Sequence, residues 1–235
     1  MLSTGERPQP PVTPAVVSAS VPLSTHIMPL QGSSAMPSEL HTENSTVSSQ
    51  TQHIWVVTGP AGCGKSTVGQ ALRKELGVPF LEGDDYHPKA NKDKMGNGIP
   101  LTDEDRWDWL ISLRKAAIDA LSPSESNNFQ PPTGVVVACS ALKQKYRDVM
   151  RVAAYGSPSV QIHFVYLKLS EDVLMQRVSQ RKAHYMKSDM VRSQLQALEE
   201  PKGEWDAITI NVEGSQQQVE ENVLKAVAAK LSEMK

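Results

Sequence analysis

The sequence predicts an α/β protein built as three layers, a parallel sheet with helices on both faces. Three observations carry this. Short apolar runs recur along the chain, each bounded by Gly, Pro or a polar cluster. Stretches with helical apolar spacing separate them. The first run leads directly into a Gly-rich loop and then a helix. Strands separated by helices favour a parallel sheet buried on both faces.

The elements follow in order. Ile54-Trp55-Val56-Val57-Thr58 reads as a buried strand ending at Gly59, and Lys65 to Leu76 as a helix stopped by Gly77. Pro79 to Glu82 is a short second strand. Asp103 to Leu121 carries Trp107, Leu110, Ile111, Ile118 and Leu121 on a helical stripe. Ser122 to Thr133 is a polar, Pro-containing loop, and Val135 to Ala138 is the third strand. Leu142 to Ala153 is a helix, Ile162 to Leu167 a strand, Glu171 to Arg181 a helix, and Asp189 to Leu198 another. Ala207 to Ile210 is the fifth strand, and Val219, Val223, Val227 and Leu231 mark a final helix.

Residues 1 to about 50 differ from the rest: they are rich in Ser, Thr and Pro and contain no Phe, Tyr or Trp. Such a segment cannot bury enough apolar surface to offset its ordering entropy, so a disordered tail is expected ahead of one domain over 51–235. A mitochondrial presequence is disfavoured, because Arg7 is the sole Lys or Arg there and Glu6, Glu39 and Glu43 are present. The formal net charge of −2 argues against a nucleic-acid binder. No apolar run is long enough to span a bilayer. Two cysteines, Cys63 and Cys139, do not make a disulfide framework, which fits a reduced, cytoplasmic setting.

Gly59-Pro60-Ala61-Gly62-Cys63-Gly64-Lys65-Ser66 fits G-x-x-x-x-G-K-[ST] in full and lies between a strand and a helix, the context that this phosphate-binding loop, or P-loop, requires. Its glycines let backbone N–H groups face phosphate oxygens, and the next helix offers its positive dipole end. Lys65 would reach the β- and γ-phosphates of ATP, and Ser66 would bind Mg²⁺, with Thr67 completing the loop. A Gly-rich turn without a ligand is disfavoured by the full motif in its context. Cys63 is expected to contribute backbone only. Asn91-Lys92-Asp93-Lys94 does not fit the N-K-x-D guanine motif, since the Asp falls one position early. The third strand ends Ala138-Cys139-Ser140 without the usual metal-holding Asp, so a carboxylate elsewhere must help hold the metal.

Asp84 and Asp85 follow the second strand, where ligands bind in open α/β sheets. A carboxylate there can hold Mg²⁺ or accept the proton of an attacking hydroxyl. The other reading is an exposed turn. His87, Lys89, Lys92, Lys94 and Arg106 follow, donors that suit an anionic, hydroxyl-rich acceptor, although such clusters are more often solvated faces.

Four blocks carry a resemblance. Glu82-Gly83-Asp84-Asp85-Tyr86-His87-Pro88, with Asn91, Lys94-Met95 and Gly98 to Arg106, is similar to the gluconokinase family. So are Cys139-Ser140-Ala141-Leu142-Lys143 with Tyr146-Arg147-Asp148, and His184-Tyr185-Met186 with Ser193-Gln194-Leu195 and Leu198 to Pro201. With the P-loop, the resemblance covers about residues 53 to 233. It implies strand order 2-3-1-4-5, as in shikimate kinases, and transfer of the γ-phosphoryl of ATP to the 6-hydroxyl of D-gluconate. The product would feed the pentose phosphate pathway. It implies Asp84, rather than Asp85, as the catalytic carboxylate, and His87, Arg106, Lys143 and Arg147 as acceptor-facing. Arg177 and Arg181, four apart on one helix face, become nucleotide-site and lid arginines, where spacing alone suggests an ordinary basic surface. Residues 212–215 are expected near the adenine by fold analogy. Asp108 and Lys187 stand where the family usually has Pro. A kinase for another small acid or nucleotide on the same fold, and a nucleotide-binding interaction module, are the competing readings, and a homodimer is left open.

Overall fold

A computed structural model describes residues 51–180 and 188–234. The expected disordered tail, and Arg181 with His184-Tyr185-Met186, lie outside the described residues.

Five strands form one parallel sheet in the order β2-β3-β1-β4-β5, as expected. They are β1 (Gln52–Thr58), β2 (Phe80–Glu82), β3 (Gly134–Ala138), β4 (Val160–Lys168) and β5 (Ala207–Asn211). The helices are α1 (Lys65–Leu76), α2 (Lys89–Gly96), α3 (Asp103–Asp119), α4 (Gln144–Tyr155), α5 (Glu171–Ser179), α6 (Ser188–Ala197) and α7 (Gln216–Glu233).

The central strands read as unbroken apolar runs because both their faces are covered. Successive side chains of β1 point to opposite faces. Ile54 and Val56 pack with Leu110 and Leu113 of α3 and Met150 of α4. Trp55 and Val57 pack with Leu72 of α1, Leu174 of α5 and Val223 of α7. In register, Val56 sits between Val137 and Phe164. Among the described residues, no helix is long and apolar enough to cross a membrane.

One boundary and one additional helix differ from expectation in ways that matter for the site. The helix expected from Leu142 begins at Gln144. Ala141 takes φ 36° and Lys143 is extended at the N-cap, so the strand-to-helix turn uses 141–143. The charged stretch after the second strand contains a helix, α2, that periodicity could not reveal, because Asn91 is its one buried residue. The carbonyl of Pro88 accepts from the amides of Asn91 (3.0 Å) and Lys92 (3.1 Å) to start it.

Candidate active site

The P-loop leaves the carboxyl end of β1 and is tied to the neighbouring strand end. The Thr58 hydroxyl and the Gly59 amide both donate to the carbonyl of Ser140, the latter at 3.3 Å. Gly62 (φ 93°) and Gly64 (φ 109°) hold left-handed conformations that turn the loop back into α1, and a side chain at either would be strained. Cys63 is 1% exposed, and burial pushes its thiol pKa up, so it acts through its backbone. Lys65 Nζ donates to Pro60 O at 3.1 Å. Ser66 and Thr67 are exposed at the start of α1. The Ala61 amide donates to Gln194 Oε1 of α6 at 2.7 Å, so a side chain 133 positions away reaches the loop.

Beside the loop lies a cleft whose lining includes Lys65, Asp84, His87, Arg106, Trp109 and Gln194. Asp84 and Asp85 occupy a single 3-10 turn, Gly83–Tyr86, directly after β2. Asp84 lines the cleft and Asp85 does not. The turn is fastened from below: Trp109 Nε1 of α3 donates to Gly83 O at 2.7 Å. The same indole stacks on His87, with centroids 4.1 Å apart and planes 17° apart. Burial pulls the His87 pKa down to about 4, outweighing the opposing pull of Asp84, so the ring is neutral near pH 7. Arg106 donates to the carbonyls of Leu101 and Thr102, the latter at 2.9 Å, which holds its guanidinium at the mouth. A Thr102–Asp105 capping box fixes the start of α3 beneath it.

Two residues expected to face the acceptor are placed elsewhere. Lys143 pairs with Asp103 at 2.9 Å, together with Lys145 and Tyr146, whose hydrogen bonds hold the Asp103 carboxyl far below its usual range. Arg147 is 1% exposed. Its Nε donates to Glu204 at 2.9 Å, and its Nη1 donates to Ala141 O (3.0 Å) and Leu142 O (3.2 Å). The late start of α4 points this side chain under the 141–143 turn, so it braces the site rather than opening into the cleft. Asp108 is exposed on α3, away from the chemistry.

On the other side of the loop, a cavity of about 380 Å³ is lined by Gly62, Gly64, Thr67, Arg177, Gln180 and Gly214, among others. Its volume falls in the range of roughly 300–1,000 Å³ typical of ligand pockets. Arg177 donates to the carbonyls of Val212 and Cys63 and so joins the loop after β5 to the P-loop. Gln180 and Gly214 line it as well, and of these Gly214 belongs to the segment expected near the adenine.

This arrangement has named counterparts. The AAA domain family matches residues 54–201. A probable gluconokinase of Schizosaccharomyces pombe is 44% identical over 185 residues, covering 78% of this chain and 92% of the relative. The chain belongs to the gluconokinase family. The thermosensitive gluconokinase of Escherichia coli is 37% identical, over 74% of this chain and 87% of its own. A crystal structure of a Sinorhizobium meliloti gluconokinase, 37% identical, superposes with a TM-score of 0.67 over 79% of this chain and 97% of that one. As a gluconokinase-family member the protein is a kinase, and its P-loop marks it as a user of ATP. Trp109 and Gln194 line the cleft, and motif reading left both without a role. The signal for Gln194 was its place in a matching block, and for Trp109 its place beside Arg106 on one helix.

Proposed function

We propose that the protein transfers the γ-phosphoryl group of ATP to the 6-hydroxyl of D-gluconate, giving 6-phospho-D-gluconate and ADP. The observation that supports this most directly is the single cleft shared by Lys65, Asp84, His87 and Arg106. Lys65 stands where charge builds as the phosphoryl group leaves ADP. Asp84 is the exposed carboxylate beside it, suited to take the proton of the attacking hydroxyl. Arg106 and the neutral ring of His87 offer donors to the carboxylate and hydroxyls of a sugar acid. Mg²⁺ bound with the nucleotide would neutralise phosphate charge. The Ser66 hydroxyl and Asp84 carboxylate would hold it, and oxygen donors with room for water suit that hard cation. The cavity at Thr67, Arg177 and Gly214 takes the nucleoside, with Arg181 as the lid arginine.

The catalytic unit is residues 51–235, and removal of residues 1–48 is expected to leave turnover unchanged. The reading carries with it a cytoplasmic enzyme feeding the pentose phosphate pathway, and two unpaired buried thiols fit a reducing compartment.

The test is initial rate at fixed Mg-ATP against gluconate, glucose, shikimate and nucleoside monophosphates. Glucose lacks the carboxylate, and each buried donor left unpaired costs roughly 1–3 kcal/mol, so gluconate should win by orders of magnitude. Arg106→Ala should weaken gluconate turnover strongly with ATP binding nearly intact. A faster rate with glucose or a nucleotide would leave only the kinase class standing.

A further inference from the structure

We propose that Asn91 fixes His87 as the tautomer carrying its proton on Nε2, making His87 a hydrogen-bond donor to the same acceptor oxygen that Asp84 activates. The proposal rests on the acceptor-site reading above and assigns a positioning role to Asn91.

Asn91 is 4% exposed, the one buried residue of α2. Its Nδ2 donates to the backbone carbonyl of Asp105 at 2.7 Å. That carbonyl belongs to the first turn of α3, held by the Thr102–Asp105 capping box and by Lys94, which bonds the Asp105 carboxylate at 2.6 Å. Since a carbonyl can only accept, the amide is oriented with nitrogen, not oxygen, toward Asp105.

The same nitrogen lies 3.5 Å from His87 Nδ1. An amide nitrogen has two hydrogens and no acceptor capacity. One hydrogen is committed to Asp105 O, and the other faces the ring. A proton on Nδ1 would set donor against donor in a buried site, which disfavours the Nδ1–H tautomer. Rotation of the ring is opposed by its stack on Trp109, itself fastened to Gly83 O.

The proton therefore sits on Nε2, 4.0 Å from Asp84 Oδ1. That is too long for a direct hydrogen bond, yet an oxygen between them can bond to both. An acceptor hydroxyl placed there accepts from Nε2–H and donates to the carboxylate. Its lone pair and proton are thereby sorted before reaction. The oxygen then bonds to the γ-phosphorus, the bond from phosphorus to the ADP oxygen breaks, and the hydroxyl proton passes to Asp84. His87 keeps its own proton throughout. The other tautomer would present a second acceptor to the hydroxyl and compete with Asp84 for its proton.

The experiment reads the tautomer directly, by long-range proton–nitrogen NMR of the full chain labelled with ¹⁵N-histidine, with His87→Gln identifying the signal. The expected wild-type pattern at neutral pH is an unprotonated Nδ1 and a protonated Nε2. Asn91→Asp turns an acceptor oxygen toward Nδ1. It should move the proton there and raise the gluconate KM about tenfold, the scale of one mispaired hydrogen bond, with the ATP KM unchanged. A wild-type Nδ1–H pattern, or an even mixture, overturns the proposal. So does an Asn91→Asp enzyme with the shifted tautomer and an unchanged gluconate KM. The wild-type spectrum decides the tautomer even if Asn91→Asp does not fold. If gluconate is not turned over at all, the substrate reading fails while the spectrum still tests Asn91.

Discussion

Arg147 of α4 and Glu204 form a buried ion pair, with Nε 2.9 Å from the carboxylate, across 57 positions of sequence. Glu204 also receives Arg151, whose Nε donates to the fully buried Asp206 at 2.8 Å. The network pins the segment before β5 onto α4 and holds the turn after Ser140 through the carbonyls of Ala141 and Leu142.

Arg147→Ala should therefore act on stability more than on acceptor choice. Removing Arg147 leaves Glu204 to Arg151 alone and takes the donor from the carbonyls of Ala141 and Leu142, so the loss should lie near the lower end of the about 3–5 kcal/mol of a broken buried pair. Urea unfolding should show a drop of that order, while the gluconate KM of the folded fraction moves less than in Arg106→Ala. An unchanged unfolding midpoint with a large rise in KM would return Arg147 to the acceptor site.

Lys65→Ala should leave the fold intact and lower kcat by about 10²–10³-fold, the scale for loss of one preorganised charge aimed at the transition state. Among the described residues Lys65 Nζ donates to Pro60 O, a local bond, and the side chain is only partly buried, so folding depends on it little. Circular dichroism and initial rates together check this. Near-normal turnover would refute its catalytic place.

Asp84→Asn should be far more damaging than Asp85→Asn. The two carboxylates are adjacent and both exposed, yet only Asp84 lines the cleft and approaches His87. Loss of a general base costs about 10²–10⁴-fold. Parallel kcat values for the two variants decide it, and a more sensitive Asp85 would shift the register of the site.

Acid should destabilise the fold through His163. This ring is 1% exposed, stacks on Trp55 at 4.4 Å and meets His53 Nδ1 at 3.2 Å. Burial, then the neighbouring His53 and Lys230, lower its pKa from 6.5 to about 4, against a smaller opposing pull from Asp206. Between those values the unfolded chain binds a proton that the folded one does not. Stability thus falls as pH drops through that window, by about 1.4 kcal/mol per pH unit for one such group, and levels off below it. His163→Phe keeps the stack and should flatten the acid slope of Tm without abolishing it, because His87 and His53 shift the same way. An unchanged slope would show that His163 does not contribute.

What the sequence determined by itself is what lies close together in the chain. The P-loop needs its glycines, Lys65 and Ser66 within eight positions, and the apolar runs at Ile54–Thr58 and Val135–Ala138 declare strands buried on both faces. The expectation of Asp84 over Asp85 came from the family resemblance carried by Gly83-Asp84-Asp85-Tyr86-His87, a motif that is local as well. Tertiary structure alone decided the rest. Helix α2 has no apolar stripe to announce it, and Asn91 acquires its partners only when α2 meets α3. Whether Arg147 faces the cleft depended on where α4 begins and on Glu204 arriving beside it. Gln194 touches Ala61 because α6 packs against the loop. A motif records which groups the chemistry needs. Which way a long side chain turns is set by the charge or carbonyl that packing brings within about 3 Å of it.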